Sequence, residues 1–457
     1  MVTPGLVIAA SASGTGKTTI ATGLMAALAR RMKVAPFKVG PDYIDPGYHG
    51  LATGLPGRNL DSVMCPGLIG PLYAHGASGA DIAVVEGVMG LFDGRITDSH
   101  SDIPAGSTAE IASELGLPVV LIVDVRGMSQ SVGALVHGFA SFSDRVRVAG
   151  VILNQVGSER HEAVCREAIE ARGLQVLGAL PRFEKIEVPS RHLGLVTATE
   201  HGQAARDAVE RMAELVEQHC DLDALIELAR CSYDGEAWSP ESAVAPQTPV
   251  RVALTGGPAF TFAYAEHREL LAAAGATVVD FDPLQDPLPE CEGLVIPGGF
   301  PEEHVELLAS RSELRAAVRA HVAAGKPVHA ECAGLLWLAD SLDAHPMLGV
   351  IPVHAAMRRR LVLGYREAVV LADSVLYRAG ERIIGHEFHH TALVSALAEG
   401  FSQAWGWKAW DGSLRREGFV QGNVHASYLH VHPAAVPQAV ERFLAACSEP
   451  TKVVVHD

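Results

Sequence analysis

The sequence is poor in cysteine. Its 457 residues hold seven, at positions 65, 165, 220, 231, 291, 332 and 447. No two sit at C-x-x-C spacing, so a disulfide framework, a zinc ribbon and a paired redox site are all excluded. Basic charge is also short. Lys and Arg total 36 against 53 Asp and Glu, a formal charge of −17. That balance excludes nucleic acid or an anionic membrane as a partner held through a basic face. Long apolar runs are missing too, since none approaches the ~20 residues of a spanning helix. The N-terminal apolar run, Met1 to Ala10, has neither a basic flank nor a cleavage site. A cytoplasmic protein with no membrane partner is therefore expected.

What is present is core-forming material. Hydrophobic residues make up 48% and charged residues 19%, and the length suits two or three domains. Strands are expected at Leu6 to Ala10, Val34 to Val39, Ile82 to Glu86, Val119 to Asp124 and Val148 to Leu153. Their Val, Ile and Leu runs lack polar alternation, as strands covered on both faces do. Helices are expected at about Thr18 to Arg31 and Glu159 to Ala171. This alternation predicts α/β architecture with a parallel sheet between helices. Ser232 to Pro249 is rich in Pro, Ser and Ala and has no period, so it reads as a linker. The rhythm then restarts, with strands at Arg251 to Leu254, Thr277 to Phe281, Gly293 to Ile296 and Val328 to Glu331. Helices are expected at Tyr264 to Ala274 and Glu313 to Ala324. The expected division is residues 1–231, a linker over 232–249, and residues 250–457.

Residues Ser11 to Thr19 read S-A-S-G-T-G-K-T-T between a strand and a helix. The P-loop pattern is G-x-x-x-x-G-K-[ST], with Ser11 in place of the first glycine. Gly14 and Gly16 allow backbone amides around Thr15 to wrap phosphate oxygens, and the helix N-terminus at about Thr18, with Thr19 next, adds its positive end. Lys17 is placed to reach the β- and γ-phosphates and Thr18 to ligate Mg²⁺. Lys38 to His49 reads K-V-G-P-D-Y-I-D-P-G-Y-H after a strand. Asp42 and Asp45 there either hold Mg²⁺ or orient a substrate, and Lys38 can offset charge on a transferring phosphoryl group. Glu86 to Gly94 reads E-G-V-M-G-L-F-D-G. Glu86 stands where an acid would hold Mg²⁺ through water, with Asp93 a second acid. Asn154 either reads a base edge or caps a strand.

The second half holds A-E-C-A-G-L-L at a strand-to-helix elbow. There Cys332 is a candidate nucleophile, its thiolate favoured by the helix N-terminus. The Ala333 amide is a candidate oxyanion donor, and Gly299 of the upstream P-G-G-F-P-E loop is a second. His430 and His432 of S-Y-L-H-V-H-P are alternative bases. Gly385 to His390, G-H-E-F-H-H, reads either as a metal cluster or as an alternating strand, the strand favoured.

Together these segments resemble the cobyrinic or hydrogenobyrinic acid a,c-diamide synthases over essentially the whole chain. The matching segments are SASGTGKTT, FKVGPDYIDPGYH, NLDSVM, VEGVMGLFDG, PSRHLGL, IPGGFPE, AECAGLLWL, GHEFHH and ASYLHVHP. The resemblance implies an N-terminal domain similar to dethiobiotin synthetase and a C-terminal class I glutamine amidotransferase domain, each a three-layer α/β unit. It implies that glutamine is hydrolysed at the second and that ATP activates a substrate carboxylate at the first. By position, Cys332 would be the nucleophile and His430 its base. Lys17, Thr18, Lys38, Asp45 and Glu86 would serve ATP and Mg²⁺, with Asp42 and Asp93 near the carboxylate. The corrin substrate and glutamine are the implied partners, with a homodimer expected.

Class I amidotransferases usually place Glu two residues after the catalytic His; here that position is His432. The family resembled generally lacks that Glu, which leaves open what orients His430 and predicts a slow or tightly regulated glutaminase. A polycarboxylate substrate would also be repelled by the net charge. Arg191 and His192 in PSRHLGL, or the run Arg358 to Arg360, are candidate local basic contacts. Rival readings are a cobyric acid synthase, a diamide synthase acting on nickel sirohydrochlorin, and a non-enzymatic P-loop switch. The intact Cys332 and His430 segments speak against the last.

Overall fold

The computed structural model describes residues 2–96, 101–182, 190–191, 194–195, 198–394 and 400–449. Two compact units divide the chain, Met1–Trp238 and Ser239–Asp457. The stretch 232–249 is shared between them. Ser232 and Trp238 donate backbone bonds to the carbonyls of Leu115 and Pro71 in the first unit. Residues 239–249 carry the one-turn helix Pro240–Ala243, and Gln247 bonds to Ala274 in the second unit.

The first unit runs β1 (Gly5–Ala10), α1 (Lys17–Ala29), β2 (Val34–Val39), α2 (Asp45–Thr53), β3 (Arg58–Leu60), α3 (Ile69–Gly76), β4 (Ile82–Glu86), α4 (Thr108–Leu115), β5 (Val119–Asp124), α5 (Ser131–Ser141), β6 (Val148–Val156), α6 (Glu159–Glu170) and β7 (Gln175–Pro181). The strands form one sheet in the order β3-β2-β4-β1-β5-β6-β7, and every pairing is parallel. β1, β2 and β4 are buried along their whole length, which is why they read as continuous apolar runs. Parallel pairing puts all their C-terminal ends on one edge. The turns after β1, β2 and β4 therefore converge there, in the crevice where open α/β sheets bind ligands. Helix α1 is buried on nearly every side, lying between the sheet and the helix Ala198–His219. The crossing is close enough that a Cβ on Gly23 would stand 2.4 Å from the Met212 carbonyl oxygen.

The second unit holds a sheet ordered Thr277–Phe281, Arg251–Thr255, Gly293–Ile296, Val328–Glu331 and Val424–Ser427, all parallel, with Phe419–Gln421 antiparallel at its edge. A second sheet, not foreseen from the sequence, is built on the long strands Ile351–Val370 and Arg382–Leu393, which pair antiparallel. Gly385 to His390 lies on the second of these strands, so the strand reading of that segment holds. Among the described residues no group of three or more His, Cys, Asp or Glu is disposed to hold a metal. Arg358, Arg359 and Arg360 stand exposed on the first long strand. Among the described residues no helix is long and apolar enough to cross a membrane.

Candidate active sites

The phosphate loop follows β1 and enters α1. Gly16 is the residue before the helix, with φ of 90°, and Gly14 has φ of 76°; both conformations favour glycine. Asn154 Nδ2 donates to the Thr15 carbonyl at 2.8 Å. A Cβ on Gly16 would stand 2.4 Å from that nitrogen, so Asn154 pins the loop from the neighbouring sheet edge. Its amide oxygen accepts from Gln155 N at 2.9 Å. A cavity of about 510 Å³ opens beside it, lined by Gly16, Thr19 and Asn154 with Arg126, Pro181 and Arg182. The two arginines escaped the sequence reading because they sit in ordinary polar turns.

Lys38 and Glu86 are register partners on β2 and β4, so their side chains meet across the strands. Lys38 Nζ lies 2.9 Å from Glu86 Oε1, 2.6 Å from Asp45 Oδ2 and 3.9 Å from Asp42 Oδ2. Thr18 Oγ1 donates to Glu86 Oε1 at 2.7 Å and reaches Asp45 Oδ2 at 3.3 Å. Asp42 Oδ1 accepts from the backbone of Ile44 and Asp45, bracing the turn that leads into α2. Lys17 Nζ donates to the Met89 carbonyl at 2.8 Å. Asp93 Oδ2 accepts from Gly90 N at 2.9 Å, bracing the loop after β4. His49, one turn beyond Asp45 on α2, places Nε2 2.7 Å from Glu86 Oε2, and both groups are fully buried. It was missed as a site residue although it closes the K-V-G-P-D-Y-I-D-P-G-Y-H run. Its i,i+4 spacing from Asp45 was the available signal.

The charges are unequal. Burial opposes ionisation of Glu86, but Lys38 and the His49 hydrogen bond hold its carboxyl well below the usual range. Burial, with Asp42 and Glu86 close by, pushes Asp45 well above it. Burial would also lower Lys38, yet Asp45 and Glu86 keep it firmly protonated. Burial and the nearby Lys38 bring Lys17 down to about 8. The donors that converge, Thr18 Oγ1, Asp45 Oδ2 and Glu86 Oε1, are all hard oxygens. They suit a small divalent cation that completes its shell with phosphate oxygens and water. Such a cation would offset both the burial and the neighbouring Asp42 and Glu86 charges that raise Asp45.

In the second unit Cys332 stands between Val328–Glu331 and the helix Ala333–Leu338, with φ of 47° and ψ of −96°. A non-glycine residue held there is strained, the mark of a nucleophile elbow. Its amide donates to the Ser427 carbonyl at 2.7 Å, and Sγ approaches the Phe388 carbonyl at 3.8 Å. The expected thiolate is not what this geometry stabilises. Burial, with Glu302 adding to it, pushes the Cys332 thiol well above its ordinary value and outweighs the Ala333 amide. The helix is short and Cys332 is buried, 3% exposed, so desolvation dominates. Gly299 fits against the Ala259 carbonyl, where a Cβ would come within 2.2 Å.

His430 is fully buried, its ring against Gly298, where a Cβ would stand 2.5 Å from Cε1. His432, the alternative base, accepts from Ala434 N at 3.3 Å and lies beside Tyr264 with ring centroids 4.4 Å apart. Its geometry caps the following turn. His192 lies outside the described residues, as does the side chain of Arg191.

Residues 6–196 match the CobQ/CobB/MinD/ParA nucleotide binding domain, and residues 251–437 match the CobB/CobQ-like glutamine amidotransferase domain. The hydrogenobyrinate a,c-diamide synthase of Mycobacterium tuberculosis is 55% identical, covering 97% of this chain and 98% of that protein. The enzyme of the same name from Streptomyces coelicolor is 52% identical, with 97% of each chain covered. The chain belongs to the a,c-diamide synthase family. The cobyrinate a,c-diamide synthase of Gloeobacter violaceus, another relative, is 41% identical over 97% of this chain and 96% of its own. Members of the family are glutamine-dependent amide synthases, with a nucleotide-binding domain ahead of the amidotransferase domain.

Proposed function

We propose that this enzyme amidates the a and c acetate carboxylates of hydrogenobyrinic acid in cobalamin biosynthesis, spending ATP and glutamine. The metal-free ring is preferred over cobyrinic acid because relatives named for it are 55% and 52% identical, against 41% for a cobyrinate synthase. The observation that carries the reading is the meeting of Thr18, Lys38, Asp45 and Glu86 at the phosphate loop. That cluster combines a cation site with a buried, permanently charged ammonium.

In the first unit, backbone amides from Gly14 to Gly16 and the Lys17 ammonium hold the triphosphate. Thr18, Asp45 and Glu86 would hold Mg²⁺, which would supply neutralisation of phosphate charge. Thr19 and Asn154 face the nucleoside. The carboxylate attacks the γ-phosphorus, the β–γ oxygen bond breaks, and ADP leaves. Ammonia then attacks the acyl phosphate carbonyl and phosphate departs, with Lys38 offsetting negative charge during transfer. Asp42 and Asp93 lie beside the carboxylate. Phe92, Phe139 and Phe142 border a cavity of about 440 Å³ that also touches Ser11 and Asp93; it offers an aromatic surface to the flat face of the ring. Arg191 and His192 supply local positive charge.

In the second unit, Cys332 attacks the glutamine amide, with the Ala333 and Gly299 amides receiving the developing oxyanion. His430 takes the thiol proton and delivers it to departing ammonia. Water then releases glutamate. The enzyme acts in the cytoplasm as a homodimer, which sedimentation would test.

Mass spectrometry of products from hydrogenobyrinic acid, cobyrinic acid and sirohydrochlorin, offered in parallel with ATP, Mg²⁺ and glutamine, tests the reading. Each amidation replaces OH by NH₂. Two successive replacements on hydrogenobyrinic acid are expected, and an unchanged ring would overturn the proposal.

A further inference from the structure

The position at which class I amidotransferases usually carry a third catalytic residue is filled here by His432, which caps a turn, so an acid serving His430 would come from elsewhere. Within the second unit the structure supplies one. Glu331 is the last residue of Val328–Glu331, immediately before Cys332, and its Oε2 lies 3.4 Å from His430 Nδ1. That separation is long for a hydrogen bond, as catalytic contacts are before substrate binds. The other carboxylate oxygen, Oε1, is 3.2 Å from His329 Nε2, so the carboxylate spans two imidazoles. Burial would raise the Glu331 carboxyl, but His329 and His430 hold it far below the usual range. It therefore stays charged throughout the working pH range.

Its backbone is equally fixed. Glu331 is the register partner of Ser427, and Cys332 N donates to the Ser427 carbonyl. His430 is held independently. His386 N donates to the His430 carbonyl at 2.8 Å and His430 N to the His386 carbonyl at 2.9 Å. A Cβ on Gly385 would stand 2.6 Å from that His430 oxygen. The G-H-E-F-H-H strand thus fixes the main chain of His430, leaving the side chain to be oriented by its neighbours.

We propose that Glu331 is the positioning residue of the glutaminase, replacing the missing acid two residues after His430. This rests on Cys332 and His430 hydrolysing glutamine, as proposed above. A carboxylate on Nδ1 selects the tautomer whose Nε2 is the base, and it stabilises the imidazolium formed when the thiol proton is taken. Nucleophile and positioning acid are then adjacent in sequence.

The test compares full-length Glu331→Gln and Glu331→Asp with the parent. Glutamate release reads the glutaminase, and amidation of hydrogenobyrinic acid from ammonium chloride reads the other unit. For Glu331→Gln, the kcat of glutamine hydrolysis should fall by about 10²-fold or more, in line with other triad acids. KM for glutamine should stay within about threefold. Glu331→Asp should recover part of the loss, since charge returns at shorter reach, and ammonium-dependent amidation should be unchanged in both. A Glu331→Gln kcat within about twofold of the parent would overturn the assignment. So would a parallel fall in the ammonium-dependent reaction, which marks a general loss of fold. A parent protein that releases glutamate but amidates no corrin would refute the proposed substrate, and glutamate release would still decide the role of Glu331.

Discussion

His49 Nε2 and Glu86 Oε2 meet at 2.7 Å with neither side chain exposed to solvent. That contact turns one carboxylate oxygen away from the phosphate loop and leaves the other, Oε1, shared by Thr18 and Lys38. The acid at the end of β4 is thus held by three partners from three elements. Its position is set before any ligand arrives.

Replacing His49 by Ala should leave a buried carboxylate short of a partner. The expected cost is about 1–3 kcal/mol of unfolding free energy, read by urea denaturation of the full chain. ATP-dependent amidation should fall as well, while glutamine hydrolysis in the second unit persists. His49→Gln, which can still donate, should recover part of both losses.

Lys17 is placed at about 8 in the free protein by burial and by Lys38. It is charged below that pH and neutral above it. Phosphate oxygens favour the charged form, so nucleotide affinity should weaken as pH rises from 7 through 9. Binding at pH 8 should take up a fraction of a proton. Calorimetry in two buffers of different ionisation enthalpy measures that uptake; affinity constant from pH 7 to 9 would contradict the shift. Lys17→Met should remove the pH dependence together with most of the affinity.

Cys332 carries a thiol raised by burial, so the free protein should react slowly with iodoacetamide at neutral pH. The rate should climb with pH and show no plateau below about 9, the ordinary range for a thiol. Mass spectrometry of the Cys332 peptide follows it. Cys332→Ala should abolish glutamine-dependent amidation and spare the ammonium-dependent reaction, which separates an enzyme from a nucleotide switch.

Gly298 and Gly299 differ in what a methyl group would strike. Gly298→Ala would press on the His430 ring, 2.5 Å from Cε1, while Gly299→Ala would press on the Ala259 carbonyl at 2.2 Å. Both should slow glutaminase turnover by about 10- to 10³-fold through base or oxyanion misplacement. Glutamate release at saturating glutamine measures the effect.

Much of this molecule is legible without coordinates. The strands Val34–Val39, Ile82–Glu86, Val119–Asp124, Thr277–Phe281, Gly293–Ile296 and Val328–Glu331 have the bounds their apolar runs suggest. All but the edge strand Thr277–Phe281 are buried along nearly their whole length, and strands covered on both faces must be apolar on both, so their signal is strong. The phosphate loop, whose Gly14 and Gly16 take positive φ just before α1, was legible because its pattern lies within one turn of chain. The antiparallel pair Ile351–Val370 and Arg382–Leu393 was not. The first carries three exposed arginines and pairs over a long span, so its stability comes from partners distant in sequence.

What sequence by itself determined was the chemistry available: a phosphate loop, an acidic cluster after two strands, a cysteine at an elbow, and two histidines near the end. Tertiary structure alone decided which of these meet and in what ionisation state. Register across β2 and β4 joined Lys38 to Glu86, and helix α2 swung His49 onto the same carboxylate. Burial, rather than the short helix, set the thiol of Cys332. Strand pairing also brought Glu331, one residue before the proposed nucleophile, within reach of His430, while His432 caps the following turn. Distance through space and exclusion of water fix such couplings, and neither is written in the order of residues.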